Sequence, residues 1–354
     1  MKKITLLFLG LVGFSALAQT TYPSTSFASQ GNTFTVTTAA GFLALDFTQT
    51  GASQTWNFSA LTTQSVGEQS WIDPNATGYK TSWCFSHFYV FNCNSQFNSN
   101  FNLAGDPTEG ISLAEFGVTN VKNHLHKNAL HLESRMIGAT IDLNGTSLPI
   151  TVDYTQPDVV YQFPITFNTN YTNTSALNVD FSTFGVDASI VGTTQRTNEV
   201  NGWGSLVTPA GSYASVLKMK TTLVTDQTVT YEGQATPTQT TAVIYSWFDP
   251  AVGIPVLTAT GTEVGGQFVP ARVTYFGQSL RVSENSLQDV SLYPNPTTGV
   301  LNLSRDLSVD AIFVYDILGA KVGNSLDLSD LSFGIYFVRV TTKDGSLTRK
   351  IVKK

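Results

Sequence analysis

Short runs in which apolar and polar residues alternate recur along this chain, and that period-2 pattern restricts it to folds built from β-strands. Across residues 32–38, Phe34 and Val36 alternate with Thr33, Thr35 and Thr37, the pattern of a strand with one buried face. Similar runs lie at 139–143, 149–154, 159–163, 216–224, 242–248, 256–260 and 272–276. Turn clusters separate them, among them Asn144 with Gly145, residues 208–211 (Thr-Pro-Ala-Gly), residues 249–253 (Asp-Pro-Ala-Val-Gly), and Gly265 with Gly266. There Pro and Gly sit where their φ preferences suit a turn. Strands so punctuated predict a sandwich, barrel or curved antiparallel sheet. Helix signals are confined to residues 110–121 and part of 121–135.

Charged residues make up only 12% of the chain, about half the average for soluble domains. Thr, Asn, Ser and Gln replace them, which with many β-branched and aromatic residues suits a pleated, half-buried surface. The formal net charge is −6, and the acidity sits ahead of residue 289, with 9 basic against 18 acidic side chains once Lys2 and Lys3 are set aside. Such a body repels a phosphate backbone, so nucleic acid is not an expected partner.

Lys2 and Lys3, an apolar run over residues 4–14, and Ala16-Leu17-Ala18 before Gln19 predict a signal peptide over residues 1–18. That run is shorter than the roughly 20 residues of a membrane-spanning helix, and no later stretch approaches that length. No cysteine follows the cleavage position, which argues against a lipid anchor.

Cys84 and Cys93 are the two cysteines. In a protein that crosses an oxidising compartment they predict one disulfide closing a short loop, with residues 92–102 as an exposed loop tethered to it. Three of the four histidines cluster as His124, His126 and His131, with Glu133 close by. On strands, His124 and His126 share a face, as do His131 and Glu133, so a hairpin would bring three nitrogens and a carboxylate around Zn²⁺. A solvated strand face is the competing reading, and Lys122 and Lys127 would oppose a cation. Carboxylate pairs such as Glu109 with Glu115, or Asp153 with Asp158, are candidates for glycoside hydrolysis, though sequence does not give their separation. Trp71 and Trp83, near the cysteine loop, are the surface aromatics expected to stack on a sugar, whereas Trp203 and Trp247 are expected in the core. No H-E-x-x-H, P-loop, G-x-S-x-G or EF-hand pattern occurs.

The last sixty or so residues form a separate block. It opens with Tyr293, Pro294, Asn295, Pro296 and Gly299, continues through Tyr315, Asp316 and Gly319 to Gly334, Ile335 and Tyr336, and closes with Lys350, Ile351, Val352, Lys353 and Lys354. The prolines lack N–H donors and hold their neighbours extended, and the apolar runs after them read as a small antiparallel sandwich. That order resembles the type A C-terminal sorting domain of type IX secretion system cargo from Bacteroidota. One departure is Leu331-Ser332-Phe333-Gly334, where a Pro commonly precedes the Gly. The resemblance implies export across the outer membrane by the type IX machinery, usually followed by removal of the domain and release or surface attachment. Ahead of it, Tyr161, Phe163, Pro164, Gly202, Trp203, Gly204, Tyr245, Trp247, Asp249 and Pro250 resemble an uncharacterised β-rich region of secreted Bacteroidota proteins, a likeness that implies no known chemistry.

The resulting expectation is an all-β protein. A signal peptide (1–18) precedes a large antiparallel sheet or sandwich body (19–281), with a division near 150 if it holds two subdomains. A linker (282–291) and a small Ig-like sorting sandwich (292–354) follow. The expected product is a secreted or cell-surface protein whose body is a non-catalytic binding or adhesive module, with an extracellular glycan or surface ligand as partner. The alternative is a secreted glycan- or metal-dependent hydrolase without a recognisable motif.

Overall fold

A computed structural model describes residues 20–107, 118–143, 146–182, 187–277, 290–305, 308–317, 319–342 and 345–354. The chain is all-β and divides into two units, Met1–Gln278 and Ser279–Lys354. The first unit contains β1 (Thr33–Ala40), β2 (Gly51–Asn57), β3 (Thr62–Ile72), β4 (Leu103–Gly105), β5 (Val118–Lys127), β6 (His131–Leu143) and β7 (Thr146–Gln162). It continues with β8 (Asn170–Asp180), β9 (Ala188–Thr208), β10 (Gly211–Tyr231), β11 (Gln234–Phe248), β12 (Leu257–Val264) and β13 (Gln267–Phe276).

Hydrogen bonding runs in the order β10-β11-β12-β13-β1-β3-β4-β5-β6-β7-β8-β9, and β9 pairs with β10 again. The circuit is therefore closed, which limits the open sheet edges along which chains aggregate. β2 adds in parallel beside the C-terminal half of β9, where Gly204 is essential: a Cβ there would lie 2.0 Å from the Gln54 carbonyl oxygen. β7 runs without a break through residue 150, pairing with β6 and β8.

Strict alternation builds these strands. Along β9 every second residue from Arg196 to Thr208 is buried, and in this stretch Arg196 and Asn198 are buried as well as Val200 and Leu206. The two polar residues are satisfied in place. Arg196 grips Asp158 through Nε and Nη2, both at 2.8 Å, and Asn198 donates to the Val160 carbonyl at 3.0 Å. Four apolar clusters fill the unit, centred on Phe27, Leu132 and Phe248; on Trp56, Trp247 and Tyr275; on Ile141, Val152 and Ile190; and on Tyr79, Trp83 and Phe97.

Two short helices, α1 (Lys80–Ser86) and α2 (Cys93–Asn100), lie on this unit. The second corrects the expected loop over 92–102: Phe97 is fully buried and packs with Trp83, Cys84 and Met136. Below α1, Gly138 leaves room for Tyr79, whose ring would lie 2.3 Å from a Cβ. Residues 118–127 and 131–143, partly read as helix, are strands; the earlier part of that reading, residues 110–117, lies outside the described residues, as do Val282–Gln288 of the expected linker.

The second unit has a four-stranded antiparallel sheet in the order β17 (Lys321–Gly323), β16 (Val309–Tyr315), β18 (Gly334–Thr342), β19 (Gly345–Lys353). The pair β14 (Leu292–Tyr293) and β15 (Asn302–Leu303) accompanies it. Leu292, Val314, Leu328, Val338 and Ile351 form its core.

Candidate functional site

Strands β11, β12, β13, β1 and β3 lie side by side, and their registers bring five hydroxyl side chains into one line. Ser246 faces Thr258, Thr258 faces Thr274, Thr274 faces Thr38, and Thr38 faces Ser65. Directly opposed residues share a sheet face, so at about 4.8 Å per strand the row spans roughly 19 Å. The alternate residues Tyr245, Trp247, Leu257, Val273, Tyr275 and Ala39 belong to the second apolar cluster. Burial of that face turns the hydroxyls to the other.

The row lines a cleft of about 470 Å³, together with Phe27, Trp71, Tyr161 and Phe276 and the charged residues Glu68, Asp106 and Arg272. Among the described residues, the five hydroxyls, Glu68 and Arg272 have no side-chain hydrogen bond or ion pair, whereas Asp106 pairs with Lys122. Trp71 is buried at 6% exposure, which corrects the expected surface position, and packs edge-on against Phe27 at 5.1 Å. Its indole Nε1 is buried without a partner, and an unmet donor of that kind is costly unless a ligand or water satisfies it. Phe27, Trp71 and Tyr161 are buried and Phe276 is partly exposed; hydroxyls, a carboxylate and a guanidinium are hydrogen-bonding groups that a polyhydroxylated ligand can use.

Trp83 is placed elsewhere. It too is buried, within the helix-covered cluster, and its Nε1 donates to Asp153 Oδ1 at 2.9 Å. Cys84 and Cys93 form a disulfide with Cα atoms 5.5 Å apart.

The histidine cluster is arranged around a guanidinium. His126 faces Glu133 across β5 and β6, and His131 Nδ1 lies 3.5 Å from Glu133 Oε1. Arg135 already holds that carboxylate, with Nη2 at 2.7 Å and Nε at 3.0 Å, in the position where a cation would act. His124 is sealed among Tyr79, Phe97 and Phe101, with Nε2 2.8 Å from Thr77 Oγ1. Burial pushes its ring down to about 4, against an opposing contribution from the Lys122 backbone; burial, then Arg135, lowers His126. Among the described residues, no group of three or more His, Cys, Asp or Glu could hold a metal ion.

One arrangement has the composition of a hydrolase triad: Ser86 Oγ lies 3.1 Å from His87 Nδ1, and His87 Nε2 lies 3.1 Å from Asp153 Oδ2. Its hydrogen bonding opposes that chemistry. His87 Nδ1 also lies 2.8 Å from the Trp83 carbonyl, to which Ser86 Oγ donates at 2.9 Å. Both ring nitrogens thus face acceptors, and neither is placed to take a proton from Ser86. Burial raises Asp153, while the Trp83 indole and His87 oppose the shift. Of the carboxylate pairs, Asp158 is committed to Arg196, and Glu109 and Glu115 lie outside the described residues.

In the second unit, the motif residues tie the opening of the segment to its last strand. Asn295 Nδ2 donates to the Lys350 carbonyl, and Val352 N donates to Asn295 Oδ1, each at 2.9 Å. Thr297 N donates to the Val352 carbonyl and Lys354 N to the Thr297 carbonyl. Tyr293 pairs with Asn302, and Pro294 and Pro296 flank the anchoring Asn295. At Gly299 a Cβ would meet Ser329 Oγ at 2.4 Å. After Tyr315, Asp316 Oδ1 accepts from Ala320 N at 2.9 Å, and Gly319 closes the turn at φ +82°. Gly334, Ile335 and Tyr336 open β18 against Lys353, Val352 and Ile351 of β19, while Tyr336 Oη donates to the Ser332 carbonyl at 2.8 Å.

Together these features define a two-unit β-protein whose C-terminal unit is a compact, self-contained module. Residues 291–354 match the family described as the secretion system C-terminal sorting domain. The chain is cargo of the type IX secretion system and is secreted or carried to the outer cell surface. Neither the curated proteins nor the solved structures contain a match. No helix among the described residues is long and apolar enough to cross a membrane.

The hydroxyl row was not singled out in the sequence. The available signal was the alternation of Thr258 and Thr260, and of Arg272 and Thr274, in runs whose other face is apolar.

Proposed function

We propose that the body is a non-catalytic glycan-binding module that the sorting domain delivers to the cell exterior. The observation that carries this reading is the line Ser246-Thr258-Thr274-Thr38-Ser65, five hydroxyls without side-chain partners among the described residues, along a cleft that Phe276 also lines. A sugar ring offers hydroxyls to the row and a C–H face to the partly exposed Phe276. Glu68 and Arg272 supply an acceptor and a donor whose hydrogen bonds to ligand are charge-assisted.

A glycan array probed with the exported protein tests this reading. The expected result is selective retention of a set of oligosaccharides that Thr38→Val with Thr274→Val weakens. Absence of glycan binding by the wild-type protein, or unchanged binding by the double variant, overturns it.

A further inference from the structure

The disulfide joins cysteines nine positions apart and closes a loop whose large apolar side chains point outward. Phe85 is 83% exposed, Phe88 87%, Val90 77% and Phe91 100%, although Cys84 and Trp83 at its base are buried. Apolar side chains of this size on one short loop mark an interaction site.

The loop is held rigidly in that display. The disulfide fixes both ends, and Asp153 on β7 accepts from Trp83 Nε1 and pairs with His87 Nε2. His87 lies stacked against Tyr89 at 5.5 Å and tilted on Trp83 at 4.5 Å. The four side chains therefore cannot turn inward without breaking the base.

Two observations identify what meets them. Three backbone donors of the tip are satisfied internally, Phe88 N by the Phe85 carbonyl, Tyr89 N by the Cys84 carbonyl and Val90 N by the Phe88 carbonyl, which leaves Phe91 N as the donor at the tip without a backbone partner among the described residues. Each donor satisfied in this way lowers the cost of bringing the loop's backbone to the edge of an apolar phase. The surrounding segment is also free of formal charge, with no Asp, Glu, Lys or Arg from Thr81 to Gly105. A stable protein–protein interface engages roughly 20–30 residues on each side, and this tip presents four. A lipid phase needs no matching surface, and Phe side chains bury in the headgroup–acyl boundary of interfacial segments.

We propose that the disulfide-closed loop is a membrane-interface anchor that inserts Phe85, Phe88, Val90 and Phe91 into the outer leaflet of a phospholipid bilayer. The body then docks on a lipid surface through a site separate from its glycan cleft.

Flotation of the exported protein with phosphatidylcholine vesicles tests the proposal, beside Phe88→Ser/Phe91→Ser and the reporter Phe91→Trp. The wild-type protein is expected to float with the vesicles, and the double serine variant to lose at least tenfold in partitioning at an unchanged melting temperature. Phe91→Trp is expected to gain a blue-shifted emission that bromine-labelled acyl chains quench. The proposal fails if the wild type stays soluble in excess lipid, or if the serine variant floats as well as wild type. It also fails if the serine changes abolish self-association while leaving lipid binding intact.

Discussion

Lys218 provides a quantitative check on the core beneath the hydroxyl row. The side chain is fully buried, with Nζ 2.7 Å from the Gln49 carbonyl and 4.3 Å and 5.4 Å from the Tyr245 and Trp247 ring centroids. Burial outweighs the Asp46 carboxylate and pushes the amine from 10.5 down to about 7. Between those values the unfolded chain binds a proton that the folded chain has shed, so stability rises with pH across that window. At about 1.4 kcal/mol per pH unit, the buried ammonium destabilises the fold by about 5 kcal/mol below pH 7, and the effect vanishes above about 10.5. Lys218→Met removes the titrating group at similar volume, and the Gln49 carbonyl keeps a donor, Trp56 Nε1 at 3.1 Å. In urea unfolding the variant should therefore be several kcal/mol more stable than wild type near pH 6.5. That advantage should shrink by about 1.4 kcal/mol per unit as pH rises toward 10. A difference independent of pH, or a variant less stable than wild type near pH 6.5, refutes the reasoning.

Three further outcomes follow from the same geometry. Burial holds His124 neutral, with its folded value at about 4 against 6.5, so stability is intact above pH 6.5 and is lost as pH falls toward 4, by about 3 kcal/mol in all. His124→Phe, which suits the surrounding rings, should flatten that acid arm in thermal melts followed by circular dichroism. Asp158→Ala should lower the unfolding free energy by about 3–5 kcal/mol, because it leaves the Arg196 guanidinium buried without its carboxylate; a loss under about 1 kcal/mol in urea unfolding would show that the pair is not sealed from water. Deleting residues 292–354 should leave the protein in the periplasm, and immunoblots of fractionated cells that show normal surface or medium levels would contradict the export assignment.

The legibility of this chain follows the range of the interactions involved. The sorting unit was readable because its markers are local: Asn295, the Asp316-to-Gly319 turn and the Gly334 strand start each work within a few residues of chain or against the adjacent terminus. Strands such as β1 and β11 were readable because alternation reports which face is buried. Alternation does not report which strand lies beside which. The hydroxyl row needs Thr38 next to Thr274, a pairing set by closure of the whole circuit. α1 and α2 escaped because Asn and Ser are weak helix formers and about two turns of helix are not stable alone; the disulfide and the burial of Trp83 and Phe97 hold them. Spacing allowed a hairpin to gather His124, His126, His131 and Glu133, but it could not show that Arg135 occupies the Glu133 carboxylate.

Isothermal titration of the strongest array oligosaccharide into wild-type protein and into Thr38→Val/Thr274→Val tests the glycan-binding account most directly. At roughly 0.5–1.5 kcal/mol per hydrogen bond, removing two central hydroxyls should weaken binding by about 5- to 160-fold with the melting temperature preserved. Equal affinity in the two proteins would contradict the account.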